Sequence, residues 1–274
     1  MSESTRAERP LGRTLLVGYG KLARRLAPGL LRHADGVLAL SRGAAELPIG
    51  VEAVMADVLC PLDRLPAVDT MLVTLPPGGS SGSYRLALTN LAVALPNPPA
   101  RTVFVSSTGV FEGAGPDRIL TEDDQPEAVS VRSEGLIDGE RAAVELFGAT
   151  ILRPAGIYGP GRDFMLRRVR AQTPADHARW TNRIHQDDLV DTLAALLRVS
   201  DAPSLLHAVD RHPAPLGEVL AYVAALLGVQ TPLDDGVGRA SGHILDGSRL
   251  HDWIGELRHP SYESGYAEMI RRDG

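Results

Sequence analysis

Gly18, Gly20 and Ala23 follow a short apolar run, Thr14 to Val17, in the pattern Gly-x-Gly-x-x-Ala, and they open a segment of helical period from Leu22 to Leu31. Each small residue has its own use. Gly18 permits a tight turn, Gly20 lets backbone amides approach an anion with no side chain between, and Ala23 lets the helix lie close on the strand. The amino end of the helix adds a partial positive charge. Strand, turn, helix and second strand fall in register, so the pattern predicts that Gly18, Tyr19, Gly20, Lys21 and Leu22 hold the pyrophosphate of a dinucleotide. Taken alone, the same letters also describe a plain turn.

The second apolar run, Val37 to Leu40, ends in Ser41 and Arg42. A carboxylate at that place accepts hydrogen bonds from ribose hydroxyls, whereas a guanidinium pairs with a 2'-phosphate through parallel charge-assisted bonds. Asp35 stands at the other end of the run. NADP(H) is therefore expected in preference to NAD(H). Asp57 follows the third run and either meets the adenine amino group or caps the next turn. Leu75, Pro76, Ser106 and Pro154, at later strand ends, complete the expected cofactor-binding set.

The elements that must carry these residues are seven short runs rich in Val, Leu and Ile: 14–17, 37–40, 51–55, 70–74, 102–106, 150–152 and 205–209. They alternate with segments of helical period, among them one around Leu86, Asn90, Leu91 and Val93, which Pro96 stops, and Leu189 to Leu197 after Asp187 and Asp188. That alternation predicts an α/β fold, a Rossmann-type doubly wound parallel sheet with a small C-terminal substrate lobe. The expected division is a flexible tail over 1–12, a dinucleotide-binding core over 13–160, and a lobe over 161–274 from which about 183–210 return to the core. Loops rich in Pro and Gly after three of the strands share the edge where open α/β sheets bind ligands.

Composition narrows the function. The chain has 274 residues, a formal net charge of −6, 44% hydrophobic and 23% charged residues. That is an ordinary globular balance, and an acidic chain offers no basic face to nucleic acid, so no such partner is expected. Cys60 is the single cysteine. It excludes an internal disulfide and a thiolate zinc cluster and fits a reducing cytoplasm. No run is long and apolar enough to predict a membrane span, and with scattered histidines no metal is expected. A small-molecule substrate is the expected partner, with a homodimer as a further expectation.

Several later segments resemble the extended short-chain dehydrogenase/reductases, the NAD(P)-dependent epimerase and dehydratase group, and in particular its atypical members. Val105-Ser106-Ser107-Thr108-Gly109-Val110-Phe111 is similar to the strand-end Ser-Ser-x-x-Val-Tyr-Gly of that family. Leu152-Arg153-Pro154 through Tyr158-Gly159-Pro160-Gly161 is similar to its Leu-Arg-Pro-x-x-x-Tyr-Gly-Pro-Gly, and Arg183-Ile184-His185-Gln186-Asp187-Asp188 to its Ile-His-x-Asp-Asp segment. His259-Pro260-Ser261-Tyr262 with Gly265 resembles a C-terminal turn of the short members.

The resemblance implies hydride chemistry carried by a serine, a tyrosine and a lysine. Ser107 matches the serine. Arg132 and Leu136 stand where Tyr-x-x-x-Lys belongs, on the segment leading to Glu140. General acid/base catalysis contributes ~10² to 10⁴ in rate, so another proton donor is expected. Tyr158 is the first candidate, with Arg132 and His185 as further catalytic candidates and Tyr84 and Asp138 behind them. The function implied is an NADP(H)-binding oxidoreductase or epimerase/dehydratase-like protein acting on a small carbonyl, hydroxyl or sugar-nucleotide substrate. A non-catalytic NADP(H) sensor is the alternative. A remote one is a serine hydrolase built on Gly78-Gly79-Ser80-Ser81-Gly82, with Asp187 or Asp188 and His207 or His212, although Pro76 and Pro77 part that pattern from its strand.

Overall fold

The computed structural model describes residues 8–43, 46–76, 82–116, 118–235 and 242–273. From the N-terminus come β1 (Arg13–Val17), α1 (Lys21–Leu30), β2 (Gly36–Ser41), β3 (Val51–Met55), β4 (Thr70–Val73), α2 (Ser83–Ala94) and β5 (Arg101–Val105). A single 3-10 turn, Thr108–Phe111, leads to β6 (Ile119–Leu120), α3 (Val131–Phe147), β7 (Thr150–Pro154), β8 (Gly156–Tyr158) and α4 (Phe164–Arg170). The remainder is β9 (Trp180–Thr181), β10 (Arg183–His185), α5 (Gln186–Arg198), β11 (Leu205–Ala208), β12 (Ala214–Pro215), α6 (Leu216–Leu227), β13 (Ile244–Leu245), α7 (Ser248–Ile254) and α8 (Tyr262–Asp273).

Seven strands form one sheet in the order β11-β7-β5-β4-β1-β2-β3. The pairs from β3 through β7 are all parallel. Each corresponds to one of the seven predicted runs. Strands β1, β4, β5 and β7 are buried along nearly their whole length, as a sheet covered on both faces requires, which is why their sequences read as unbroken apolar runs. This is a Rossmann-like α/β fold, in which β1 lies between β4 and β2.

The chain divides into two compact units: 1–112, 126–153 and 190–205 in the first, and 113–125, 154–189 and 206–274 in the second. The second unit therefore begins before the expected border at 160 and takes in an earlier segment. Its own core gathers Tyr158, Leu166, Val169, Val219, Leu220, Tyr262 and Tyr266. Three two-stranded pairings belong to it, β8 with β10, β9 with β12, and β6 with β13.

One expectation needs correction. Residues 8–12 are not a loose tail, because Leu11 is buried, its carbonyl accepts from Thr70 Oγ1 at 2.7 Å, and Arg9 N donates to Arg198 O; residues 1–7 lie outside the described ones. In α2 the buried stripe is Tyr84, Ala87, Leu88, Leu91 and Ala94, and Leu86 and Val93 face solvent. In α4 it is Leu166 and Val169 that are buried, while Phe164 is exposed. The Gly78 to Ser81 part of the hydrolase-like pattern, Ser80 included, lies outside the described residues. Among the described residues no helix is long and apolar enough to cross a membrane.

Candidate functional site

The glycine turn sits where β1 ends, pinned from both sides. Gly18 N donates to Leu40 O at 2.9 Å, and Thr74 Oγ1 donates to Gly18 O at 2.8 Å. Gly18 has φ of +85°, and a Cβ there would come within 3.0 Å of Thr74 O. Both facts demand glycine. Gly20 is the N-cap of α1 with no side-chain hydrogen bond to the helix, and the first turn carries no acidic residue. Among the described residues, neither a side-chain cap nor an acidic residue of the first turn offsets the positive end of this helix.

A cleft of about 610 Å³ opens at this point. Its walls include Gly18, Tyr19, Gly20, Ser41, Arg42, Asp57, Leu75 and Pro76, eight residues of the expected cofactor set, all in the first unit. A Cβ built on Gly20 would meet nothing within 4 Å. The space in front of the helix is therefore open, which suits a pyrophosphate lying against bare backbone. The residues present fit a dinucleotide.

Arg24, Val58, Leu59, Tyr84 and Ala87 also line the cleft, and none of them entered the expected cofactor set. Arg24 Nε donates to Tyr19 O at 3.3 Å, and its guanidinium carbon lies 5.8 Å from the Tyr19 ring centroid. With Arg42 it gives the cleft two guanidinium groups. Asp57 Oδ1 accepts from Leu59 N at 3.0 Å, the cap of the following turn. Ser41 Oγ donates to Gly43 O at 2.9 Å.

Of the remaining expected cofactor residues, Leu22 is buried in α1 and Lys21 is exposed beside it. Ser106 is buried, and its Oγ donates to Glu140 Oε1 at 2.6 Å. Arg153 reaches the same carboxylate, Nε to Oε1 at 2.9 Å and Nη2 to Oε2 at 2.7 Å. Ser106 therefore closes a buried network under β5 and β7 instead of lining the cleft. Pro154 is buried at the start of the second unit.

Ser107 stands half-buried at the end of β5 and caps the 3-10 turn, accepting from Gly109 N at 3.1 Å. Arg132 is exposed in the first turn of α3 and Leu136 is buried one turn on. That turn is fixed by a reciprocal cap between Ser130 and Ser133. Both hydroxyls donate to Glu112, which holds its carboxyl below the usual range, with Arg132 adding a smaller effect.

In the second unit, the Tyr158 hydroxyl donates to Ser261 O at 3.3 Å, and its ring packs on Tyr266 and edge-on to His185. Burial, and then the charge of Asp210, push its ionisation far above the ordinary phenol range, which makes it a weak acid. His185 is buried; Nδ1 accepts from Asp187 N at 3.2 Å and the ring lies 3.8 Å from that of His259. His185, Asp187 and His259 bring potential ligand atoms within 4.8 Å of one another, a grouping that no sequence spacing announced. The hydrogen bond taken by His185 and the 3.3 Å approach of His259 Nε2 to Glu268 already use these nitrogens.

No family model matches the chain. A curated Streptomyces protein described as 3-diazoavenalumate denitrifying reductase is 27% identical over 254 residues, covering 80% of this chain and 83% of its own. A solved structure described as a candidate NAD-dependent epimerase/dehydratase from Methylobacillus flagellatus superposes with a TM-score of 0.81 at 29% identity, over 96% of this chain and 99% of that one. The dTDP-glucose 4,6-dehydratase of Streptomyces venezuelae, solved with NAD bound, gives 0.74 at 17% identity over 94% and 96% of the two chains, and bears on the fold alone. Together these likenesses support the kinship implied by the sequence, that of nucleotide-binding oxidoreductases and epimerases.

Proposed function

We propose that this chain binds NADP(H) in the cleft at Gly18 to Gly20 and transfers hydride to or from a small carbonyl, hydroxyl or sugar-nucleotide substrate. The observation that carries the reading is the open space at Gly20, at a helix end whose first turn carries no acidic residue. The Streptomyces relative described as a reductase agrees with it. A bound dihydronicotinamide would supply the hydride.

The preference for the 2'-phosphorylated cofactor is supported by Arg24 and Arg42 on one cleft and by the absence of a carboxylate at the end of β2. Asp57, the acidic residue in the wall, has a carboxylate oxygen engaged in capping a turn. A guanidinium pairs with phosphate in a way that no ribose hydroxyl can match. Calorimetric titration with NADPH and NADH tests both points: no heat with either nucleotide sinks the binding, and equal affinities sink the preference.

The second reading is a sensor that binds NADP(H) without turnover, and Arg132 and Leu136 in the tyrosine and lysine slots favour it. Loss of dihydronicotinamide absorbance with any member of a carbonyl panel decides for the enzyme. Tight NADPH binding with no turnover across the panel decides for the sensor.

A further inference from the structure

We propose that Tyr84 is the proton donor that serves this site in place of the missing tyrosine, and that Arg132 is the cation that supports it. The inference rests on the reductase reading above and names the group which that reading leaves unassigned.

Position is the first argument. Tyr84 lies in the first turn of α2, buried, as part of the wall of the nucleotide cleft. Its hydroxyl donates to Leu75 O at 3.1 Å, and Leu75 is itself a cleft residue. The ring meets Phe104 edge to face, with centroids 5.4 Å apart. Phe104 lies on β5, the strand that runs into Ser106 and Ser107, so Tyr84 is anchored beside the strand end that carries the serine.

The helix holding the empty slots is pressed against the same ring. A Cβ on Gly139 would fall 2.8 Å from the Tyr84 Cβ, so only glycine lets α3 approach this closely. Leu136 and Arg132 precede Gly139 on the same helix by about one and two turns. Arg132 exerts its positive charge on the phenol. Burial pushes the Tyr84 hydroxyl up to about 12, and the charge of Arg132 opposes that rise. A cation that favours phenolate is the service that the family lysine gives its tyrosine.

The other candidates fit less well. Gly265 packs so tightly on Tyr158 that a Cβ there would overlap its hydroxyl, which donates to Ser261 O. Tyr19 lines the cleft too, but it sits in the glycine turn beside Arg24.

During reduction of a carbonyl, the hydride that a bound NADPH would give up on becoming NADP⁺ forms the new C–H bond at the carbonyl carbon, and the π pair moves to its oxygen. The Tyr84 O–H bond breaks and its proton passes to that oxygen, giving the alcohol. The phenolate left behind is held by Arg132 until water returns a proton. One proton is taken from solvent for each carbonyl reduced.

The test uses the full-length protein labelled at the tyrosine ζ-carbon, with the Tyr84 resonance assigned from Tyr84→Phe. In the NADP⁺ complex the Tyr84 phenol should ionise at lower pH than without nucleotide. Arg132→Ala should raise that value by about one pH unit or more, and Arg132→Lys should restore it. In parallel, Tyr84→Phe should retain NADPH binding in calorimetry while cutting the reduction of 4-nitrobenzaldehyde by roughly 10²-fold or more. Tyr158→Phe should leave that rate intact. A Tyr84 resonance indifferent to Arg132→Ala overturns the donor even if the nucleotide binds. Failure of the wild-type protein to bind NADPH overturns the reductase reading and the donor together.

Discussion

Arg153 grips Glu140 through two parallel hydrogen bonds, and Ser106 completes the ring on the same carboxylate. All three side chains are buried in the first unit. Removing one ion strands the other in a poorly solvating interior. Arg153→Met is expected to cost about 3–5 kcal/mol in urea unfolding, whereas the double change Arg153→Met with Glu140→Leu should recover most of it. A single change costing under about 1 kcal/mol would show that water still reaches the pair.

Two glycines in one turn should respond in opposite ways. Gly18→Ala forces a side chain into positive φ and against Thr74 O, so about 1–3 kcal/mol of stability should go along with nucleotide binding. Gly20→Ser places a good N-cap at an open position, so thermal stability should hold or rise while NADPH affinity falls at least about tenfold. Equal NADPH binding by Gly20→Ser and wild type would move the pyrophosphate elsewhere.

Arg24→Ala and Arg42→Ala should each weaken NADPH by about tenfold, close to 1.4 kcal/mol, and leave NADH unchanged. Parallel losses for both nucleotides would mean that the arginines hold the shared pyrophosphate instead.

Asp210 gives a pH-dependent signature. Its carboxyl is pushed up to about 7, chiefly by burial, with Arg183 and the amide of His212 opposing. Oδ1 accepts from His212 N at 3.0 Å, and Oδ2 finds no partner among the described residues. The folded form thus holds a proton that the unfolded chain releases near pH 3.8. Stability should fall as pH rises from about 4 to about 7 and level off above, by about 1.4 kcal/mol per unit at most. Asp210→Asn keeps the amide contact and should flatten that slope, making the variant the more stable form at pH 8; an unchanged slope would assign it to other groups.

The sheet was legible because central parallel strands must be apolar on both faces, and Leu15, Leu16, Met71, Leu72, Val103 and Phe104 announce that directly. The buried face of α2 is less legible for a related reason. Three of its five buried residues are alanine or tyrosine, which carry little periodic signal, whereas Leu86 and Val93 advertise a face that the fold leaves in water. Arg24 reads in sequence as one polar residue of a helical segment, and only the curl of the glycine turn brings it over Tyr19. Strands of two residues, such as β6 and β13, leave no period at all. Tyr84 and Arg132 are far apart in sequence, and it is the packing of α3 on α2 at Gly139 that relates them, which no local pattern encodes.

The pairing of β6 with β13 sets Ile119 beside Ile244 and Leu120 beside Leu245. During synthesis, Ile119 leaves the ribosome well ahead of its neighbour. At about 5–20 residues per second, the interval is on the order of ten seconds. Throughout that time the edge of β6 has no native companion, so the nascent chain is exposed to misassembly in a window that the finished fold conceals.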